Sequence, residues 1–264
     1  MKIGVFDSGL GGLIIAKAIR KALPQYDYVY LGDTKRVPYG NRSEEAVFQF
    51  TKEGVGYLFK KENCAIVIVA CNTASARALR RIQQNYLLKN FPDRKVLGVL
   101  IPSAEEGARF NRVGVLGTFG TVSSKTFPIE INKLNKKTKI FQNSAPILVP
   151  LAEEGEIKKS IPFLREYLEP FINKNLDALI LGCTHYPMFK KEIRKLLLSK
   201  IKIISQDEVI PKKLKNYFIQ HKEIEKKLSQ NKTAKILVTD ITPNVKNLSR
   251  KWFGVKTKPK LVNL

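Results

Sequence analysis

Two cysteines in this sequence stand where a thiol could act on a bound molecule. Cys71 follows an apolar run and precedes Asn-Thr-Ala-Ser, and Cys183 follows a second apolar run and precedes Thr-His-Tyr-Pro. Each pattern predicts a buried strand that ends at the thiol, with a helix after it. Because a helix N-terminus lowers the pKa of a nearby thiol, we expect both cysteines to be reactive. A single cysteine in such a place is more often a small buried apolar residue.

The two cysteines occupy equivalent places in an internal repeat. The matched segments are 3–8 with 113–118 and 68–73 with 180–185. Gly4 and Cys71 are 67 positions apart, and Gly114 and Cys183 are 69 apart. Ligands bind at the carboxyl ends of the strands in open α/β sheets, so two facing halves would present both thiols to one cleft. The repeat therefore favours function over simple burial. Cys64 has no repeat partner, and we expect it to be structural.

Two thiols in one cleft could form a redox pair, hold a metal or act as an acid and a base. Redox pairs commonly use a Cys-x-x-Cys spacing, which is missing here. A metal would need more ligands than the nearby His185 supplies. An acid/base pair that removes a proton from one face of a carbon and returns one to the other face inverts the stereocentre. The residues favour this third possibility.

Loops after the predicted strands could hold the substrate. Asp7 opens the stretch Asp-Ser-Gly-Leu-Gly-Gly, whose glycines let backbone amides approach a carboxylate. The stretch is not the GxGxxG signature of dinucleotide sites. Asp7 is either a second base that assists a cysteine or a helix cap, and both interpretations stay open. The turn around Tyr39 and Gly40 could offer further amides, and Thr118 and Thr121 occupy the matching loop of the second half.

Composition limits the classes of protein that need to be considered. The chain has 264 residues, of which 44% are hydrophobic and 27% charged, as in a globular protein. No apolar run approaches the ~20 residues of a membrane helix. No secretory segment is visible, and three scattered cysteines suit a reducing cytosol, so we expect a cytoplasmic protein. The formal net charge is +24, with 20 basic and 6 acidic residues in 190–264. This excess indicates either a solvated lysine-rich surface or an anionic partner such as nucleic acid.

Alternating strands and helices predict an α/β fold with mostly parallel sheets and helices on both sides. Ser43 is expected to cap the helix that follows it. The predicted strands are 3–6, 28–31, 65–70, 96–100, 113–116, 178–181, 202–204 and 236–238. Further helices are expected over 73–89 and over 187–198.

These motifs together resemble the glutamate racemases, a family of cofactor-independent two-cysteine amino-acid racemases. The matching segments lie in the family's order over nearly the whole chain, at 4–12, 32–40, 70–75, 149–153, 181–187 and 239–243. The chain departs from the family's pattern at Ser205-Gln206, where Asp-Ser is common.

The resemblance implies that the protein interconverts L- and D-glutamate without a cofactor or metal and supplies D-glutamate for peptidoglycan. Cys71 would act on D-glutamate with help from Asp7. Cys183 would act on L-glutamate with help from His185, and Glu153 would support that side. The substrate would be held by Asp7, Ser8, Tyr39, Gly40, Asn72, Thr73, Thr118, Thr121, Thr184 and His185.

The family's architecture is two pseudosymmetric three-layer α/β domains with the active site in the cleft between them, usually in a homodimer. The resemblance places residues 1–96 and 207–264 in the first domain and residues 97–206 in the second. Alternative functions are racemisation of aspartate or a hydantoin and, from a different class, nucleic-acid binding through the basic surface. Nucleic acid is not expected to be the main partner, and no membrane association is expected.

Overall fold

The computed structural model describes residues 1–197, 201–254 and 257–264. The strands are β1 (Lys2–Asp7), β2 (Tyr28–Gly32), β3 (Cys64–Val69), β4 (Lys95–Gly98), β5 (Arg112–Gly117), β6 (Lys139–Ser144), β7 (Ala178–Gly182), β8 (Lys202–Ile204), β9 (Ala234–Val238) and β10 (Pro259–Leu261). The α-helices are α1 (Gly12–Ala22), α2 (Glu44–Lys60), α3 (Asn72–Arg77), α4 (Leu79–Arg81), α5 (Leu88–Asn90), α6 (Leu100–Gly107), α7 (Phe119–Ser123), α8 (Thr126–Leu134), α9 (Leu148–Glu153), α10 (Ile161–Ile172), α11 (Lys190–Leu196), α12 (Gln206–Gln220), α13 (Lys222–Glu225) and α14 (Pro243–Trp252).

The strands form two parallel sheets that repeat one topology. The first has the order β10-β9-β2-β1-β3-β4 and the second β6-β5-β7-β8. The run β2-β1-β3-β4 therefore matches β6-β5-β7-β8, with β1 equivalent to β5 and β3 to β7. Every strand pairing in the described residues is parallel. The predicted α/β class with parallel sheets is confirmed, and each of the two cysteines follows the third strand of its repeat.

Helices cover both faces of each sheet. Along β3, Ile66 and Ile68 belong to one hydrophobic cluster, while Val67 and Val69 belong to another. Successive side chains of a strand point to opposite faces, so both faces are buried under helices. Alternate residues of β7 divide between two further clusters in the same way. This double burial explains why these strands are apolar throughout, and it gives each sheet a three-layer arrangement.

Several element bounds differ from the predicted ones. Strand β4 ends at Gly98, and Leu100 already belongs to α6. The helix expected over 73–89 is broken into α3, α4, a π-helical segment (Ile82–Leu87) and α5. A 3₁₀ turn, Tyr186–Phe189, precedes α11, and the predicted helix end at Leu198 lies outside the described residues.

Strands β6 and β10 were not predicted, because both are half-exposed edge strands with little apolar sequence. Ser43 does cap α2, and its hydroxyl accepts from the backbone N–H of Ala46.

The chain leaves the second sheet after β8 and returns to the first. Helix α12 packs against α1 and α6. Strand β9 then pairs with β2, and β10 pairs with β9. The domain boundaries at 96 and 206 stay a prediction. No helix in the described ranges is long and apolar enough to cross a bilayer.

Candidate active site

Both cysteines of the repeat line a single cavity of about 300 Å³. Cys71 follows β3 of the first sheet and Cys183 follows β7 of the second, so the cavity lies where the carboxyl ends of the two sheets meet. Each cysteine is only 6% exposed. The cavity is lined by Ser8, Gly9, Val37, Pro38, Tyr39, Gly40, Cys71, Asn72, Thr73, Thr118, Val149, Pro150, Glu153, Gly182, Cys183, Thr184 and His185.

Cys71 occupies the N-cap of α3, and its sulfur accepts from the backbone N–H of Ala74 at 3.5 Å. Burial and the negative charge of Asp7 nevertheless raise the pKa of Cys71 to about 12. The contact with Ala74 at the helix end lowers this pKa, as predicted, but burial and the charge of Asp7 outweigh it, so the expected net lowering is not found. Cys71 is therefore a thiol in the unliganded protein at neutral pH.

Asp7 lies behind the cavity wall and is fully buried. Its Oδ2 accepts from the backbone N–H groups of Gly9 and Gly12, each at 3.1 Å. Gly12 is the first residue of α1, so this oxygen satisfies an N–H group at the start of the helix although Asp7 is not its N-cap residue. Within the described residues Oδ1 has no hydrogen-bond partner. Burial raises the pKa of Asp7 above its usual range, although the charge of His185 acts in the opposite direction. One oxygen is thus available for proton transfer.

Cys183 stands at one end of a row of hydrogen-bonding groups. Its sulfur lies 3.7 Å from His185 Nδ1, and Nε2 of the same ring lies 3.0 Å from Glu153 Oε1. Burial alone would lower the pKa of His185, but its contacts with Cys183 and Glu153 outweigh burial and raise it to about 10. The His185 ring also makes a T-shaped contact with Trp252 of α14, with 5.6 Å between ring centroids. A protonated imidazole can donate to both neighbours.

Three threonine hydroxyls converge from the two halves. Thr73 Oγ1 of α3 lies 2.9 Å from Thr118 Oγ1 and 3.5 Å from Thr121 Oγ1. Thr118 and Thr121 are themselves 3.1 Å apart at the start of α7. A cluster of hydroxyls can donate several hydrogen bonds to one carboxylate.

The loop around Tyr39 faces the same side of the cavity. The Tyr39 hydroxyl donates to Asp33 Oδ2 at 2.5 Å, which fixes the ring. A side chain at Gly40 would lie 3.1 Å from Thr118, so Gly40 lets this loop approach the second half closely. Thr184 neighbours Cys183 on the cavity wall.

The structure brings most of the predicted site residues to the cavity surface. Asp7 and Thr121 are placed in contact with residues of the wall rather than in it. The sequence reasoning did not select the apolar wall formed by Val37, Pro38, Val149 and Pro150, although these residues lie within the motifs noted above. Cys64 begins β3, at the end of the strand opposite Cys71, and packs in the hydrophobic core. Within the described residues no cluster of His, Cys, Asp and Glu could hold a metal ion.

The raised pKa of His185 predicts a pH-dependent stability. A proton held in the folded protein up to about pH 10 is lost from the unfolded chain near pH 6.5. The stabilisation is therefore complete below about pH 6.5 and is lost as the pH rises towards 10. For one proton, the free energy of unfolding falls by at most about 1.4 kcal/mol per pH unit. We expect urea unfolding at several pH values to show a shallower alkaline loss of stability in His185→Gln than in the unmodified protein; equal slopes would contradict the assignment.

Comparison with known proteins gives one family. Residues 14–210 match the family model described as Asp/Glu/Hydantoin racemase. The glutamate racemase of Aquifex aeolicus (strain VF5) is 37% identical to this chain over 268 residues, covering 100% of this chain and 98% of the relative.

Two solved structures are similar over nearly the whole chain. The glutamate racemase of Francisella tularensis, in complex with D-glutamate, has a TM-score of 0.89 and 32% identity and covers 99% of this chain and 97% of its own. The Escherichia coli glutamate racemase, in complex with L-glutamate and the activator UDP-MurNAc-ala, has a TM-score of 0.79 and 26% identity. The match covers 100% of this chain and 99% of the Escherichia coli chain. Because the family model matches more than half of the chain and the Aquifex aeolicus relative is 37% identical over its full length, the chain belongs to the Asp/Glu/hydantoin racemase family.

Proposed function

We propose that this protein is a glutamate racemase that interconverts L- and D-glutamate by moving protons at Cα, with Cys71 and Cys183 as the two acid/base groups. The observation that carries the proposal is the single cavity lined by both thiols. Each thiol has its own ionisable neighbour, Asp7 for Cys71 and His185 for Cys183. Such a site needs no cofactor, because the side chains themselves supply both an acid and a base.

In the direction from L- to D-glutamate, Cys183 removes the Cα proton. His185 and Glu153 support this step, since an imidazole that retains its proton can stabilise a thiolate beside it. Cys71 then gives its proton to the opposite face of the carbanion. Its high pKa keeps it in the protonated form that this step requires.

In the direction from D- to L-glutamate, Cys71 must first lose its own proton. Asp7 Oδ1 is the acceptor, because its second oxygen is held by backbone N–H groups. The raised pKa of Asp7 makes its carboxylate a stronger base than an exposed one. The Cys71 thiolate then takes the Cα proton. On the other side, His185 passes its proton to the Cys183 sulfur, and Cys183 delivers a proton to the opposite face of the carbanion. Asp7 afterwards releases its proton to solvent, and His185 regains one from solvent.

The polar wall fixes the substrate between the two sulfurs. The hydroxyls of Thr73, Thr118 and Thr121 suit one carboxylate. The remaining groups that we assign to the ammonium and the second carboxylate are Ser8, Tyr39, Gly40, Asn72, Thr184 and His185. The apolar wall of Val149 and Pro150 packs along the methylenes.

Further parts of the proposal concern the cellular setting. We propose that the protein works in the cytoplasm, supplies D-glutamate for peptidoglycan and acts as a homodimer. We also propose a first domain of residues 1–96 and 207–264 and a second of residues 97–206. The full-length similarity to proteins named glutamate racemase supports glutamate over aspartate as the substrate.

A racemisation assay tests the proposal. Purified protein with no added cofactor is mixed separately with the L- and D-forms of glutamate and aspartate and with a substituted hydantoin, and optical activity is followed. We expect both glutamate enantiomers to reach the racemic mixture while the other compounds turn over at least ten times more slowly, an amount of discrimination that hydrogen-bonded sites readily reach. Faster turnover of aspartate or of the hydantoin would reassign the substrate, and inactivity towards all five compounds would overturn the proposal.

A further inference from the structure

A buried pair of carboxamides joins the cavity wall to the return crossover of the chain. Asn72 Nδ2 donates to Gln206 Oε1 at 2.9 Å, and Gln206 Nε2 donates to Asn72 Oδ1 at 2.5 Å. The two residues are 134 positions apart and are 2% and 1% exposed. A reciprocal pair of this kind fixes the orientation of both amide groups. If either amide were rotated by about 180°, its N–H group would face the partner's N–H group and its oxygen would face the partner's oxygen.

The two partners sit at points that matter for the geometry of the cavity. Asn72 directly follows Cys71 and is the first residue of α3. Gln206 is the first residue of α12, where the chain leaves the second sheet to return to the first. The next residue, Asp207, accepts from Lys190, which belongs to the second half. The crossover is thus anchored on the Cys71 side by Gln206 and on the Cys183 side by Asp207.

This pairing fixes the direction in which the Asn72 side chain points. Its carboxamide oxygen and one of its N–H groups are engaged by Gln206, which leaves one N–H group and one lone pair for the substrate contact proposed above. The same pair ties the first residue of α3, which directly follows Cys71, to the first residue of α12. Loss of the partner would leave a buried amide unsatisfied, and the first turn of α3 would have to move to rehydrate it.

We propose that Gln206 is a positioning residue for Cys71, acting through Asn72. This proposal rests on the proposed function, because it assigns to Gln206 the placement of one of the two acid/base thiols. Gln206 does not line the cavity and needs no contact with substrate. It couples the crossover between the halves to the orientation of a single sulfur.

The first test measures the thiols and does not depend on turnover. Gln206→Leu, which preserves much of the volume, is treated with iodoacetamide near neutral pH, and the alkylation of each cysteine is followed by peptide mass spectrometry. Cys71 should react faster, because relaxed burial lowers its pKa, and one pKa unit raises the thiolate fraction about tenfold. The rate at Cys183 should not change. Glu208→Gln is the matched control, since Glu208 lies in the first turn of the same helix and its side chain pairs with Lys190 at the surface, and it should leave both rates unchanged.

The second test is a double-mutant cycle on kcat/KM for glutamate. Asn72→Ala and Gln206→Leu should each lower it about tenfold, since a displaced base loses alignment with Cα. The kcat/KM of the double variant should be no more than about twofold below that of the less active single variant, because both changes remove one shared interaction. Effects that multiply instead would mean that the two side chains act on turnover independently, and would overturn the proposal.

Other outcomes are equally decisive. An unchanged alkylation rate at Cys71, or equal acceleration at both cysteines, would contradict a role in placing one thiol. If Gln206→Leu does not fold, Gln206→Met keeps the unbranched shape without a charge and removes the same pair of hydrogen bonds, and the same selective change is expected. If the unmodified protein fails to racemise glutamate but the selective change at Cys71 appears, the proposed function falls while the positioning role stands.

Discussion

Serine in place of Cys71 or Cys183 is expected to lower kcat for glutamate racemisation by about 10²–10⁴-fold in both directions, the usual range for loss of a general acid or base. A hydroxyl is a far weaker acid than a thiol, so it can neither take nor return the Cα proton at the required rate. Because each direction needs one thiol as base and the other as acid, one replacement should impair both directions. Initial rates from each enantiomer measure the effect.

Cys64→Ser provides the control for this comparison. Cys64 is buried in the core at the start of β3, and a side chain at Gly4 would lie 3.1 Å from its sulfur. The variant should lose some stability but keep its specific activity. Retention of full activity in Cys71→Ser or Cys183→Ser would show that the proton transfers do not use these thiols.

Alanine in place of Gly11 is expected to lower kcat about 10²-fold without unfolding the protein. A Cβ at Gly11 would lie 2.6 Å from His185 Cε1 and 2.7 Å from His185 Nδ1, and closer still to Thr184 Oγ1. Real side chains do not tolerate such contacts, so His185 must move away from Cys183 or the two halves must separate. A displacement of about 1 Å at a catalytic group can cost 10²-fold in rate.

The backbone at Gly11 makes this a specific test. Its φ of −57° and ψ of −34° are ordinary helical values that alanine adopts without strain. Circular dichroism should therefore show an intact fold. Gly9→Ala provides the comparison in the same loop. Gly9 also lines the cavity and donates to Asp7, but its Cβ would lie against Val37 Cγ1, at 3.1 Å, and not against His185, so a much smaller loss of kcat is expected. Equal activity in the two variants would contradict the placement of His185.

The parts of the fold that local sequence dictates were predictable. Continuous apolar runs identified the central strands β1, β3, β5 and β7, because strands buried on both faces need apolar residues at every position. The repeat then identified the equivalence of the two halves. The edge strands β6 and β10 were not predicted, because they are half exposed and lack a continuous apolar pattern. They form strands by pairing with β5 and β9, and that pairing cannot be read from their own sequences.

The site was predictable to a similar extent. Polar residues after strand ends identified the sulfurs, His185 and the threonines. The contact between Asn72 and Gln206 could not be predicted, because it joins residues 134 positions apart and carries no local pattern. The pKa of Cys71 was misjudged for a related reason: the helix end is visible in the sequence, whereas complete burial beside Asp7 is a property of the assembled halves.

The central claim is that two thiols act on opposite faces of one carbon, and solvent deuterium tests it most directly. Each glutamate enantiomer is incubated with the protein in D₂O. At early times the two enantiomers are separated, and the deuterium content of each is measured by mass spectrometry. The opposite enantiomer should carry deuterium at Cα while the recovered starting enantiomer remains unlabelled, because the returning proton comes from a second group that has exchanged with solvent. Opposite enantiomer that lacks deuterium would mean that a single group moves the same proton across the carbon, which contradicts the account.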